Sequence, residues 1–352
     1  MTKRVIFIGA GAVGSYLGGW LTHTGHDVTL VDPWAENVEA IRRDGLSVSG
    51  PHDTFTANPE AIHLHESQVL TRRDPFDIAF IAVKSFDTAW ATQLAKRFVA
   101  PDGYFVSSQN CWNDNEVAAI VGHERSVGLI MSSIQVALWE PGKVERAAKR
   151  RGRDEGHDVF RAGEHDGRVS SRIRALAEML EPIDGARTTD NLWGERWAKL
   201  SQNCMGNPVT AVSGLGMADL SSSSRGRELM IRLASESAAV GLTLGYRVLS
   251  IGGHAAEKWA QAHKGDVYEE LDAGLAAKSS GANWRPSMAQ DVVKGRPTEI
   301  DEMNGFIVEK GRMAGVPTPA SAAIVDALRM VETGDLEPVP ANLERVLEKA
   351  GY

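Results

Sequence analysis

Two cysteines, Cys111 and Cys204, in 352 residues are too few for a disulfide framework and suit a reducing compartment. Basic residues are outnumbered: 38 Lys and Arg stand against 46 Asp and Glu, a formal net charge of −8. That balance argues against nucleic acid or an anionic membrane as the main partner. No apolar run is long enough to cross a bilayer, and Met1 leads toward a strand with no charged n-region or cleavage site. His63 and His65 have no further ligands at metal-site spacing, so no metal is expected. Internal repeats and low-complexity tracts are also missing. The run Arg146–Arg153 is the strongest basic cluster, but Asp154, Glu155 and Asp158 follow it, and it reads as a solvated hairpin or loop. With 43% hydrophobic and 24% charged residues, the chain has the composition of a cytoplasmic globular protein of about two domains.

What is present begins at once. Val5-Ile6-Phe7-Ile8 is a buried strand pattern, and it runs into Gly9-Ala10-Gly11-Ala12-Val13-Gly14, glycines spaced GxGxxG ahead of a helix. In such a loop Gly9 makes the tight turn, Gly11 lets the backbone approach a pyrophosphate, and Gly14 lets the helix pack on the strand. Ala12 and Val13 stand where the helix N-terminus offers N–H groups and the positive dipole end to phosphates. A second apolar run ends at Asp32, eighteen residues after Gly14 and close to the roughly 20 expected of a ribose-binding carboxylate. A carboxylate there accepts from ribose hydroxyls and repels a 2′-phosphate. It therefore favours NAD(H), with NADP(H) as the alternative, and no Arg or Lys follows before Arg42. Asp32 beside Pro33 also fits a simple turn cap.

Residues 77–84, 103–108 and 126–130 read as further buried strands alternating with helices, a doubly wound α/β pattern. Between residues 132 and 167, Gly, Pro and charge suggest antiparallel hairpin strands covering the sheet edge. A helix over 170–181 is stopped by Pro182. From Asn191 onward the pattern is almost wholly helical. The predicted organisation is a Rossmann-type α/β domain with a doubly wound sheet over residues 1–187 and an all-α domain over 188–352, joined near 184–190.

Lys199, Asn203 and Asn207 recur every four residues and so share one helical face. A lysine and two carboxamides among apolar neighbours make a poor core stripe; they suit either a substrate wall or a solvated surface. Pro208 removes a helical hydrogen bond, and a kink is expected near Asn207. Ser287 with Gln290 fits a capping box, and Thr298 after Pro297 fits a helix start. Glu299 has no such structural explanation, and a surface position is its plain alternative. Cys204 lacks a nearby His or Asp to activate it and reads as packing.

Together these motifs resemble the ketopantoate reductases (2-dehydropantoate 2-reductases) along nearly the whole chain. Gly9–Gly14 is similar to that family's cofactor loop, Val83-Lys84 to its second signature, and Gln109-Asn110 to its QNG motif. The resemblance implies a lysine, Lys84, beside the cofactor, and an Asn110 that touches cofactor and substrate. It makes Lys199 the catalytic lysine, Asn203 and Asn207 substrate-binding asparagines, Ser287 a binder of the substrate carboxylate, and Glu299 a support for substrate and lysine. Cys111 stands in place of the QNG glycine and Trp112 follows it, so either the cleft is more crowded or the loop takes another path. The segment 143–167 also looks longer than the family's hairpin.

The expected activity is hydride transfer between a nicotinamide and a 2-oxo acid or 2-hydroxy acid, with Lys199 as general acid/base. The alternatives are a dehydrogenase of a bulkier alcohol on the same scaffold, or an NAD(H) sensor without turnover. The expected partner is a small oxo acid, hydroxy acid or alcohol; a homodimer is allowed.

Overall fold

Val5, Ile6, Phe7 and Ile8 have no exposed surface, as a strand covered on both faces of a parallel sheet requires. They lie in β1 (Arg4–Ile8) of the computed structural model, in which residues 2–150, 158–262 and 265–352 are described. The chain divides into two units, residues 1–192 and 193–352.

In the first unit the larger sheet holds β1, β2 (Asp27–Asp32), β5 (Glu60–His63), β6 (Phe76–Ile81), β7 (Val99–Ser107), β8 (Ser126–Met131), β11 (Phe160–Gly163) and β12 (Ala186–Thr189). The smaller sheet holds β3 (Leu46–Ser49), β4 (Thr54–Ala57), β9 (Val136–Glu140) and β10 (Lys143–Arg146). Among the described residues, α1 (Ala12–His23), α2 (Ala35–Asp44), α3 (Thr88–Lys96), α4 (Asp114–Val121) and α5 (Ser171–Leu180) belong with them. The larger sheet runs β12-β11-β8-β7-β6-β1-β2-β5 and is parallel from β8 to β5.

Alternation along β1 shows how the sheet is covered. Val5 and Phe7 join a buried cluster with Leu17 of α1 and Leu176 of α5, whereas Ile6 and Ile8 join Ala91 of α3 and Val117 of α4. Successive side chains point to opposite faces of a strand, so helices clad both sides, as the doubly wound expectation requires. Ser170 caps α5, its hydroxyl accepting from the Ile173 N–H.

The hairpin region differs from expectation. β11 does pair antiparallel to β8 at the main sheet, but β9 and β10 form a separate sheet in the order β4-β3-β10-β9. Leu46, Val48, Leu138 and Val144 of that sheet share the buried cluster that holds α1. Arg146 is likewise no solvated residue: it is buried, pairs with the buried Asp184, and donates to the Tyr16 hydroxyl at 3.2 Å. A charge placed inside by a partner carboxylate is invisible to a count of neighbouring charges in sequence. Residues 151–153 of the same cluster lie outside the described residues.

The second unit is helical among its described residues: α6 (Leu192–Ser213, from the last residue of the first unit), α7 (Met217–Ser222), α8 (Ser224–Thr243), α9 (Ala256–Ala260), α10 (Asp266–Ala276), α11 (Ser287–Val293), α12 (Phe306–Ala314), α13 (Pro319–Thr333) and α14 (Asn342–Lys349). Trp197 anchors α6 on α8. Its ring is fully buried, its Nε1 donates to the Ser237 carbonyl at 2.9 Å, and it stacks on Tyr246 with centroids 4.9 Å apart.

Candidate active site

From β1 the chain passes to β2 on one side and later to β6 on the other, so strand order reverses between β1 and β6. Open parallel sheets place a ligand crevice beyond the carboxyl ends of the strands at such a point. Gly9 follows β1 there with φ +102, and a Cβ on it would stand 2.8 Å from the carbonyl carbon of Ala82. A Cβ on Gly14 would stand 2.0 Å from the Gly9 oxygen. Packing demands those two glycines. It does not demand Gly11, the N-cap of α1 at φ −68, where a Cβ would meet nothing within 4 Å. Ala12 and Val13, partly buried, open α1, and its first turn carries no acidic residue.

Asp32 ends β2 and is buried. Its carboxylate accepts from the Ala10 N–H of the glycine loop and from the Trp34 N–H, the latter at 2.8 Å. The second bond is the turn cap across Pro33, and the first sets the same carboxylate against the loop. The next basic residue, Arg42, is committed elsewhere: it donates to the Ala61 carbonyl at 2.7 Å and pairs with Glu66 and Glu39. Its guanidinium holds the Glu66 carboxyl down at about 2.

Beyond β6 and β7, two loops are tied together. The Gln109 amide donates to the Val83 carbonyl at 3.0 Å and to the Thr88 hydroxyl at 2.8 Å. Asn113 donates to the Ser85 hydroxyl and to the Asn110 carbonyl, each at 2.9 Å. Lys84 and Asn110, both partly buried, therefore sit in loops that brace each other beside the glycine loop. The bonds that join the two loops span 21 to 28 positions, whereas the Asn113–Asn110 bond closes a local turn of three.

In the second unit, Lys199 is partly buried on α6, with Asn203 and Asn207 buried below it on the same face. The helix continues through Pro208 to Ser213. The Cys204 thiol has no exposed surface, and burial pushes its pKa well above the usual thiol range, which suits packing and not nucleophilic attack. Ser287 is the first residue of α11 and partly buried. The expected capping box is not formed: Pro286 takes the cap position, and the Gln290 amide turns to the Arg285 carbonyl at 3.1 Å. A proline at 286 presets the turn, so the helix starts one residue earlier than the Ser287 pattern suggests. Thr298 does serve a helix start, accepting from the Ile300 N–H at 3.3 Å. Glu299 beside it is 5% exposed, which removes the surface alternative.

Residues 5–153 match the family described as Ketopantoate reductase PanE/ApbA, and residues 191–332 match Ketopantoate reductase PanE/ApbA C terminal. The chain belongs to the ketopantoate reductase family. Like that family, it is an oxidoreductase. A 2-dehydropantoate 2-reductase from Archaeoglobus fulgidus is 28% identical over 94% of this chain and 99% of its own length. A PanE/ApbA family ketopantoate reductase from Ralstonia eutropha superposes with a TM-score of 0.75 at 25% identity, over 94% of this chain and 99% of that one. D-mandelate dehydrogenase, solved with NADH and anilino(oxo)acetate, shares the fold with a TM-score of 0.74 at 22% identity, over 95% and 100% of the two chains.

Within this ketopantoate reductase family member, the departure at Cys111 now has a geometry. Cys111 adopts φ 61, the left-handed conformation a glycine takes without strain, and its side chain is 2% exposed. The loop thus keeps the path of a glycine and turns the thiol inward. Sequence reasoning missed the supporting residues. Asn37 is fully buried, donates to the Ala10 carbonyl at 3.0 Å and accepts from the Gly142 N–H at 2.8 Å. Neither Asn37 nor the pair Ser85 and Asn113 carries a local signal, because the bracing bonds Asn37–Ala10 and Asn113–Ser85 join residues 27 and 28 positions apart.

Proposed function

We propose that this protein reduces a 2-oxo acid to the 2-hydroxy acid with NADH, or runs that reaction in reverse, and that Lys199 is its general acid/base. The observation that carries the reading is the glycine loop at the point of strand reversal. There Gly11 alone leaves room that packing does not use, in front of a helix N-terminus without acidic residues. A dinucleotide pyrophosphate fits that cradle. Asp32 supports NAD(H): its buried carboxylate ends β2 and stands against the glycine loop, where a ribose-binding carboxylate belongs. Arg42, the first basic residue after it, is occupied by Glu66 and Glu39 and does not serve as a 2′-phosphate clamp. Lys84 and Asn110 complete this side of the site.

When bound, the nicotinamide supplies or accepts the hydride. The chain's own residues do the rest. As negative charge grows on the carbonyl oxygen, the partly buried Lys199 ammonium donates a proton to it, and takes the proton back in the oxidative direction. Asn203, Asn207 and Ser287 are neutral donors that hold the substrate carboxylate without burying another full charge. Glu299 orients the ammonium. The test is initial-rate measurement with ketopantoate and with 2-oxo acids bearing branched and aromatic side chains, each with NADH and NADPH. Turnover with NADH, lowered about 10²–10⁴-fold in Lys199→Ala with nucleotide binding retained, is the expected result. Unchanged turnover in that variant sinks the acid assignment; turnover with NADPH alone overturns the role of Asp32. Activity confined to the bulky acids identifies the alternative substrate class.

A further inference from the structure

Pro208 has no N–H, so the carbonyl of Cys204, four residues earlier in α6, loses its helical donor. Cys204 is fully buried, and a buried carbonyl needs another partner. That partner comes from 100 residues away: the Asn304 side chain donates to the Cys204 oxygen at 3.2 Å. Asn304 is itself fully buried, in the π-helical turn Asp301–Gly305 that follows Glu299, and its Oδ1 has no hydrogen-bond partner among the described residues. A proline that breaks a helical bond and an amide that leaves one buried oxygen unmet are both poor choices for stability alone. Their placement is informative. The acceptor residue, Cys204, directly follows Asn203, and the residue lacking a donor, Pro208, directly follows Asn207.

We propose that Asn304 is a positioning residue of the site: by supplying the hydrogen bond that Pro208 removes, it fixes the turn of α6 that carries Asn203 and Asn207 and ties to it the segment that carries Glu299. The inference rests on the reading of these residues as the substrate site. π turns inside helices often occur at functional sites, and small misplacements of binding groups carry large penalties in rate.

The test is a double-mutant cycle of the parent, Asn304→Leu, Pro208→Ala and the double variant. Each is followed by thermal unfolding, by NADH titration, and by KM and kcat for ketopantoate. In the parental background, Asn304→Leu is expected to raise KM at least tenfold, change kcat less, and leave NADH affinity unchanged. In the Pro208→Ala background the restored N–H serves Cys204, and the same substitution should shift KM less than threefold and lower the melting temperature by less. Asn304→Asp, isosteric but unable to donate when ionised, replaces Asn304→Leu if that variant does not fold. Equal effects in both backgrounds overturn the proposal while leaving the functional reading intact. A parent protein that turns over no 2-oxo acid removes that reading, and this proposal with it.

Discussion

A methyl group added at Gly14 and one added at Gly11 should have opposite signatures, and the contrast separates packing from ligand binding. At Gly14 the new Cβ would lie 2.0 Å from the Gly9 oxygen and 3.3 Å from the Ala82 Cβ. The first distance is roughly 1.4 Å short of an ordinary van der Waals separation, and its neighbour is backbone, which cannot swing aside. Helix α1 must move away from β1, at about 3 kcal/mol, the upper end of overpacking penalties. For a unit of this size that lowers the melting temperature by roughly 6–12 °C. At Gly11 the Cβ would meet nothing within 4 Å and the backbone sits at φ −68. Alanine is a poorer N-cap than glycine by up to about 1 kcal/mol, but it removes about 0.4–1 kcal/mol of unfolded-state entropy, so the melting temperature should hold within about 2 °C. On the proposed reading the methyl would nonetheless stand where a pyrophosphate approaches, and NADH affinity should fall at least tenfold, about 1.4 kcal/mol. Calorimetry and NADH fluorescence titration of both variants give the four numbers needed. Parental NADH affinity in a folded Gly11→Ala protein would refute the cradle, and a parental melting temperature in Gly14→Ala would refute the packing argument.

Other consequences follow from single side chains. Burial raises the Glu236 carboxyl to about 7, against the backbone N–H groups of Ala320 and Ser321 that donate to it. Its folded pKa lies above its unfolded value, so its contribution is complete below about pH 4.5 and is lost as pH rises through 7. The stability of the parent relative to Glu236→Gln should therefore drop by at most ~3 kcal/mol between pH 5 and 8, and a difference flat across that range excludes the titration. At Cys111, Ala keeps the strained φ while Gly releases it. Cys111→Gly should thus be about 1 kcal/mol more stable than Cys111→Ala in thermal melts, and the reverse order would show that the loop is not strained there. Asp184→Asn leaves the buried Arg146 guanidinium without its charge partner. A loss of about 3–5 kcal/mol is expected in denaturant unfolding of the first unit, and a loss under 1 kcal/mol contradicts the reading.

The strand at Val5–Ile8, the glycine loop and the Lys199, Asn203, Asn207 face were legible because local periodicity encodes them: apolar runs for buried strands, fixed glycine spacing for the loop, and a four-residue repeat for the helix. What stayed hidden was made by distant partners. Arg146 looked solvated because Asp184, which neutralises it inside the fold, lies 38 positions away. The second sheet was hidden because β10 pairs in parallel with β3 across nearly a hundred residues. Ser287 matched a capping pattern that Pro286 pre-empted. Pro208 was visible as a break, but nothing nearby revealed that Asn304 answers it.

Asn37 has a wider consequence. Its amide spends its donor on the glycine loop and its acceptor on the turn between β9 and β10, so the loop is braced from behind. On the proposed reading, a nucleotide arriving there meets a shape already made, and little of its binding energy is consumed in ordering backbone. The smaller sheet thereby becomes a remote tuning point. Exchanging the hairpin turn at Gly142 should retune nucleotide affinity without altering any residue that meets the nucleotide.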